Sequence, residues 1–254
     1  MDIILYNIFT PIICLLIGYL FGAFPTAIIV GKVFFHQDIT KLGSHNPGGT
    51  NAGRLWGKKV GFSIILFDMC KTIGPMWILW AILTFVPMHD GMPLIASSTA
   101  YYTSDISDYA IKYPVYWLAA AGCMLGNCFS IFAHFKGGKG VSVFMGLIVG
   151  SSWLFGFIPG LIYFLILKIK KMVSLAGIVT SVISCSLSWI WTILLLTKVI
   201  PGELHFIPMY GDTLACGWVY SIILTFLSLI LIIRHKGNIK RMKEGTERKI
   251  SWMK

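Results

Sequence analysis

The chain has 254 residues, of which 56% are hydrophobic and only 12% charged, and its mean hydropathy of +0.78 excludes a soluble globular domain of this length. The composition is that of an all-α polytopic membrane protein. The net charge of +11 is interleaved with apolar segments rather than gathered in a basic domain, which excludes nucleic acid as a partner and leaves membrane topology and anionic lipid as its reasons.

Residues 3–30 contain no charged side chain, a stretch longer than the roughly 20 residues that a spanning helix needs. Asp2 stands where a signal peptide carries basic residues, so this first span is expected to be retained. Further spans are predicted over residues 60–86, 115–135, 141–155, 157–167, 175–197 and 214–233. The fourth and fifth are short, and they form either a tight pair about Gly156 and Pro159 or a re-entrant hairpin among five full spans. Seven transmembrane helices is the reading adopted.

Charge gives the orientation. The loops at 32–59, 136–139 and 168–171, with the tail from Arg234, carry 18 of the 21 Lys and Arg residues, whereas the opposite side holds Lys112 and Lys198. The positive-inside rule makes the first side cytoplasmic, with the N-terminus outside and the C-terminus inside. The connector at 87–114, with Asp90, Asp105 and Asp108, reads as a solvated loop without chemistry. Cys14, Cys70, Cys123, Cys185 and Cys216 lie in or near apolar spans and Cys128 has no partner at metal-ligand spacing, so all are read as small packing residues. No internal repeat occurs, and residues 1–254 read as one domain.

The chemistry sits in the cytoplasmic segments. Gly43-Ser44-His45-Asn46-Pro47-Gly48-Gly49-Thr50-Asn51-Ala52-Gly53-Arg54 combines glycines that turn backbone N–H groups toward an anion, short hydroxyl and amide donors, and a guanidinium matched to phosphate. Alone, such a run is equally an ordinary turn-rich loop. Lys136-Gly137-Gly138-Lys139-Gly140 then feeds an apolar helix, setting free donors and the helix dipole beside two lysines. Lys139 is followed by Gly140 rather than Ser or Thr, so this is no Walker loop. Ser174 opens the sixth span, and in the tail His235, Asn238 and Arg241 share one face of a predicted helix. Asp68 and Lys71 lie three apart on the second span. An ionisable pair there is a functional candidate, with a structural brace as the alternative.

Taken in order, Gly-Ser-x-Asn-x-Gly-x-Thr-Asn-x-x-Arg, Phe-Lys-Gly-Gly-Lys-Gly-Val, Val-Ser-Leu-Ala, and Arg-His-x-x-Asn-Ile-x-Arg followed by Gly-x-Glu-x-Lys-Ile resemble the bacterial acyl-phosphate:glycerol-3-phosphate acyltransferases. The resemblance runs from residue 18 to residue 250. It implies a multi-pass enzyme of the bacterial plasma membrane with a cytoplasmic site. The implied reaction moves a fatty acyl group from acyl phosphate to the 1-hydroxyl of glycerol 3-phosphate, giving lysophosphatidic acid and inorganic phosphate without acyl-CoA, cofactor or metal. A single copy surrounded by membrane lipid is expected to suffice. Carried over by position, the family's catalytic residues fall on Arg54, Lys139, Ser174 and His235, and its substrate-binding residues on Ser44, Asn46, Gly48, Thr50, Asn51, Asn238 and Glu244.

Three departures stand out. Gly22 precedes Ala23-Phe24-Pro25 where the family usually has serine before x-Pro, Gly49 replaces a common alanine, and Asn127 and Ser130 occupy positions of a usual Gly-His-x-Phe-Pro. No His-x-x-x-x-Asp, the base motif of thioester-using glycerol-phosphate acyltransferases, occurs anywhere in the chain. The resemblance therefore implies that a substrate phosphate helps take the proton and that His235 binds phosphate. A transporter or flippase of a phosphate-bearing solute, a thioester-dependent acyltransferase and a membrane scaffold remain the competing readings.

Overall fold

The computed structural model describes residues 8–89, 92–93, 115–151, 153–197, 199 and 218–250. Ten α-helices form the described fold: α1 Thr10–Ala23, α2 Thr26–Phe35, α3 Gly49–Trp56, α4 Lys58–Phe85, α5 Trp117–Cys128, α6 Val141–Ser151, α7 Trp153–Lys170, α8 Val173–Leu196, α9 Trp218–Arg234 and α10 Lys236–Lys243. A minimal antiparallel hairpin, β1 Pro87–His89 with β2 Met92–Pro93, follows α4 and is a small departure from the all-α expectation. The expected connector residues Asp90, Asp105, Asp108 and Lys112, together with Lys198 and Cys216, lie outside the described residues.

The tightest packing is between α1 and α5, and glycine makes it possible. A Cβ added to Gly18 would lie 1.9 Å from the Ala119 carbonyl oxygen, and one on Gly22 2.1 Å from that of Cys123. Reciprocally, a Cβ on Gly122 would stand 2.0 Å from the Leu15 oxygen and one on Gly126 2.2 Å from the Tyr19 oxygen. Both helices thus carry a Gly-x-x-x-Gly face, the spacing that lets membrane helices touch backbone to backbone. Beyond this pair the main core joins α4, α5, α6 and α9 around Met76, Phe144, Leu147, Tyr220 and Leu224.

The sequence predicts one unbroken span over residues 3–30, but the helix breaks at Phe24 and Pro25 before resuming as α2. Proline has no N–H, and it drives Phe24 to an extended ψ of 114°. The carbonyls released are re-satisfied, as membrane depth demands. Ser130 Oγ donates to the Ala23 oxygen, and Lys71 Nζ donates to that of Phe24 at 3.2 Å. The pair predicted about Gly156 and Pro159 also divides elsewhere: α6 ends at Ser151, and both residues lie inside α7. Proline is tolerated there because membrane helices re-satisfy a lost bond locally.

The remaining predicted spans contain α4, α5, α8 and α9, but α5, with 12 residues, is much shorter than the span expected over 115–135 and falls short of a crossing helix. Among the described residues, residues 10–35, Lys58–Leu83 and Val173–Leu194 are long and apolar enough to cross a membrane, and the bent pair α9–α10, with its 58° angle, makes a fourth. Hydroxyls stitch α8 to α9: Thr192 Oγ1 meets Ser221 Oγ at 3.0 Å and Ser228 Oγ donates to the Ser181 oxygen at 3.1 Å. Each interhelical bond of this kind contributes about 0.6 kcal/mol in a membrane, so they fix register more than they stabilise. Cys14, Cys123 and Cys128 are buried as expected, whereas Cys70 is exposed.

The α1–α5 contact yields a test. Gly126→Ala must push α5 off the Tyr19 backbone and is expected to cost about 1–3 kcal/mol or more, lowering the melting midpoint in detergent. Gly74→Ala, which adds its methyl to open space, is expected to leave the midpoint unchanged or raise it. Equal midpoints for the two variants would contradict the backbone contact.

Candidate active site

The first glycine-rich run is folded by its own side chains. Asp38 Oδ1 accepts from the Thr40 amide at 3.0 Å and closes a 3₁₀ turn at Ile39–Lys41. Asn51 then ties the loop: Oδ1 accepts the Ser44 amide at 2.9 Å while Nδ2 donates to the Leu42 oxygen at 3.0 Å. Gly43 has φ +59°, and a Cβ there would stand 2.3 Å from Asn51 Oδ1, so only glycine fits. The loop enters α3, which lies against α4 through Gly49, Gly53 and Gly61.

The second run is clamped on two sides. The Gly137 and Gly138 amides donate to the Cys128 and Asn127 carbonyls at 3.2 and 2.9 Å. From the other side the Arg234 guanidinium donates to the Gly137 and Gly138 oxygens at 2.9 and 3.1 Å. Lys139 projects from this clamp and its Nζ donates to Asn238 Oδ1.

These loops converge with the α7–α8 turn and the tail on one cavity of about 560 Å³. Ser44, Asn46, Gly48, Thr50, Asn51 and Arg54 line it from the first loop and α3, Lys139 from the second, and Ser174, His235 and Asn238 from α8 to α10. Every site residue proposed from sequence is there except Glu244. That side chain is half exposed at the C-terminal cap of α10, 3.9 Å from Lys240, and does not line the cavity. The carboxylate that does is Glu247, only 7% exposed. Its position is the glutamate of Gly-x-Glu-x-Lys-Ile, so the signal was in the quoted motif.

Glu247 organises the tail end. Its Oε1 accepts from Ser174 Oγ at 2.7 Å and Asn238 Nδ2 at 2.6 Å, and its Oε2 from Arg241 Nε at 2.9 Å. Burial opposes its ionisation, but the bonds from Ser174, Asn238 and Arg241 outweigh this and hold its pKa below the usual range. The strap carrying Glu247 is fastened at both sides, by the Ile250 amide on the Lys171 oxygen at 2.8 Å and by Arg54 on the Arg248 oxygen at 3.2 Å.

Cations dominate the rest of the polar end. Burial pushes the Lys139 pKa down to about 8; Glu247 opposes the shift, while Arg241, Arg234 and Arg54 add to it. Burial, followed by the nearby Arg248, also lowers that of Arg54. Arg54 Nε is buried and has no hydrogen-bond partner among the described residues. An orphaned guanidinium N–H in a cation-rich pocket fits an anion. His235 differs in kind. Its Nδ1 donates to the Leu231 carbonyl at 2.8 Å, and burial pushes its pKa down to about 4. The ring is therefore neutral at pH 7, with Nε2 carrying the lone pair.

The opposite end of the cavity is apolar, walled by Phe62, Ile65, Met69, Met145, Val149, Phe157, Leu161 and Phe164 from α4, α6 and α7. At the junction stands Asp68, which with Lys71 forms a buried ion pair at 2.8 Å. Thr26 Oγ1 donates to Asp68 Oδ1 at 3.0 Å, so the pair braces the break between α1 and α2 while one member reaches the cavity. Among the described residues no three His, Cys, Asp or Glu side chains gather as a metal site.

A cationic mouth continuous with an apolar groove suits an amphiphile with a phosphate head. Comparison with known proteins agrees. Residues 12–245 match the Glycerol-3-phosphate acyltransferase family. The glycerol-3-phosphate acyltransferases of Staphylococcus aureus strains bovine RF122 / ET3-1 and JH9 are each 30% identical over 246 residues, covering 95% of this chain and 98% of theirs. The fold is similar to crystal structures of PlsY (YgiH), an integral membrane glycerol 3-phosphate acyltransferase. Its glycerol 3-phosphate form gives a TM-score of 0.69 at 22% identity, covering 95% of this chain and 96% of that one. Its lysophosphatidic acid form gives 0.66 at 22%, covering 95% of each. The chain belongs to the glycerol-3-phosphate acyltransferase family.

Proposed function

We propose that this chain transfers a fatty acyl group from acyl phosphate to the 1-hydroxyl of glycerol 3-phosphate at the cytoplasmic face of a bacterial plasma membrane. It does so as one domain of seven spans, N-terminus outside, acting as a monomer. The observation that carries the reading is the continuity of the cationic mouth with the apolar groove in one cavity. Lys136 in the second loop, and Lys168, Lys170 and Lys171 at the turn where α7 ends, stand at the same end of the helices as the site, which supports the cytoplasmic assignment.

In the reaction the hydroxyl oxygen bonds to the acyl carbonyl carbon, the bond from that carbon to the phosphate oxygen breaks, and phosphate leaves with the electron pair. The hydroxyl proton ends on the departing phosphate. Acyl phosphate is already activated, so the protein mainly aligns two anions and stabilises charge. Arg54 and Lys139 neutralise phosphate; the Ser44 to Asn51 loop and Ser174 orient it through N–H and O–H donors. His235, neutral with its Nδ1 committed to the Leu231 carbonyl, suits a glycerol hydroxyl better than the phosphate assigned from sequence. Asn238 holds Lys139, and Glu247, rather than Glu244, steadies Ser174 and Asn238. The acyl chain lies in the groove between α4, α6 and α7.

The purified protein, given acyl phosphate and glycerol 3-phosphate without acyl-CoA, is expected to form lysophosphatidate and release phosphate in equal amounts. Product only with acyl-CoA would assign a thioester donor, and no product at all would favour transport. Arg54→Ala and Lys139→Ala are each expected to reduce turnover by ~10² or more, at equal abundance in the membrane.

Lys139 sets a pH dependence. Its charge is present below its pKa of about 8 and lost above it, so kcat/KM should fall as pH rises through about 8. Bound phosphate stabilises the ammonium, so the same limb in kcat lies at higher pH. Lys139→Arg, charged throughout this range, is expected to lose the limb; a limb unchanged in that variant would remove Lys139 from the assignment.

Gly160 lines the groove and faces open space. Gly160→Leu is expected to reduce kcat/KM for long-chain relative to short-chain acyl phosphates by roughly tenfold, the scale of a few methylene contacts. An unchanged ratio would put the acyl chain elsewhere.

A further inference from the structure

Asn127 stands where the family usually carries histidine, and the structure gives it two tasks. It lies in the last turn of α5, where carbonyls lack helical partners. One of these, its own, accepts the Gly138 amide at 2.9 Å. Its side-chain oxygen accepts from Lys71 Nζ at 3.0 Å.

Lys71 is saturated. Besides Asn127 it donates to Asp68 Oδ1 at 2.8 Å and to the Phe24 oxygen at 3.2 Å, which accounts for the three protons of a buried ammonium. Its position is therefore set by α4 and by the break between α1 and α2. Asn127 passes that position on. A Cβ on Gly137 would lie 2.1 Å from the Asn127 carbonyl oxygen, and one on Gly138 would lie 3.2 Å from its Nδ2 and 3.7 Å from the Pro47 oxygen. The second anion loop thus closes on the Asn127 carbonyl and lies beside its side-chain amide, with the Pro47 oxygen of the first loop near Gly138. Lys139, the next residue, has its reach fixed by this seat.

We infer that Asn127, fixed by Lys71, is a positioning residue that seats the Lys136 to Gly140 loop so that the Lys139 ammonium meets substrate phosphate. The inference rests on the function proposed above. A histidine ring nitrogen and an asparagine oxygen are both acceptors, so either side chain can take the Lys71 bond. A reseated loop also changes what surrounds Lys139: Glu247 and Arg241 from the tail, His235 and Arg234 at the end of α9, and Arg54 from α3. Relaxed toward solvent, Lys139 regains an ordinary lysine pKa. A purely structural role for Asn127 would lower stability without moving that ionisation.

The experiment compares wild type with Asn127→Leu, of similar size but without an acceptor, and Asn127→His. Melting midpoint, kinetics against pH, and calorimetric binding of inorganic phosphate are measured on detergent-purified protein. Asn127→Leu is expected to bind phosphate about tenfold more weakly and to shift the alkaline limb from about 8 upward, whereas Asn127→His keeps both near wild type. A folded Asn127→Leu with the wild-type limb and affinity overturns the proposal, as does an Asn127→His that behaves like leucine. Should the leucine variant not fold, Asn127→Gln, which displaces the acceptor by one methylene, is expected to show the same shift, and its absence is equally decisive. A wild-type chain that binds phosphate but makes no lysophosphatidate sinks the acyltransfer reading; the phosphate affinities of the variants then judge Asn127 by themselves.

Discussion

The backbone contact between α1 and α5 is the constraint from which the site follows. In lipid there is little hydrophobic force to bring helices together, so close packing must supply it. Glycines 18, 22, 122 and 126 allow carbonyls of each helix to lie where a Cβ of the other would be. That contact sets the end of α1 beside the end of α5, where Phe24-Pro25 interrupts one helix and Asn127 to Ser130 terminates the other. Two adjacent helix ends leave orphan carbonyls. Ser130 and Lys71 meet those of α1, and the Gly137 and Gly138 amides meet those of α5. The anion loop is therefore held by the same bonds that make the helix ends tolerable.

A buried site so rich in cations is electrostatically uncomfortable. Burial lowers the pKa values of Arg54, Lys139 and His235, which means that the charged forms, or the proton on His235, are disfavoured there. Glu247 relieves part of the excess, and its carboxylate is kept ionised by three donors. Glu247 also favours the charge of Arg54, but the buried Nε of that guanidinium has no hydrogen-bond partner among the described residues. Discomfort of this sort is what binding a phosphate removes, so part of the affinity comes from relief of unfavourable burial rather than from new contacts alone.

Much of this was legible in the sequence, and the limits have physical causes. The polar residues of the two anion loops, Ser174, His235 and Asn238 were identifiable because loops between apolar spans have few other reasons to carry such clusters. The Pro25 break was visible as a residue but was not given weight, since a run without charge reads as one span whatever its backbone does. The boundary between α6 and α7 was misread because Gly156 and Pro159 are strong breakers in water and weak ones in lipid. The Gly-x-x-x-Gly faces went unread: periodic hydrophobicity carries no signal when every side of the helix is apolar. Glu244 was preferred to Glu247 although both lie in the tail, because one-dimensional spacing does not tell that Thr246 bonds back to the Arg241 carbonyl at 2.8 Å and folds the strap over the site.

The division between loops and helices also explains how one cavity handles an amphiphile. Phosphate recognition needs N–H donors free of helical bonds, which only turns and helix ends offer; an acyl chain needs an apolar wall without exposed backbone, which in a bilayer only helix sides provide. The two requirements meet where helices end, at the membrane surface. Asp68 and Glu247 are the two carboxylates among the described residues that line a cavity otherwise rich in cations. The charge of Asp68 is already balanced by Lys71 and its Oδ1 by Thr26. Asp68 therefore adds little net negative charge to repel a phosphate, and the ion pair can brace the break between α1 and α2 beside the cavity without opposing an anion bound there.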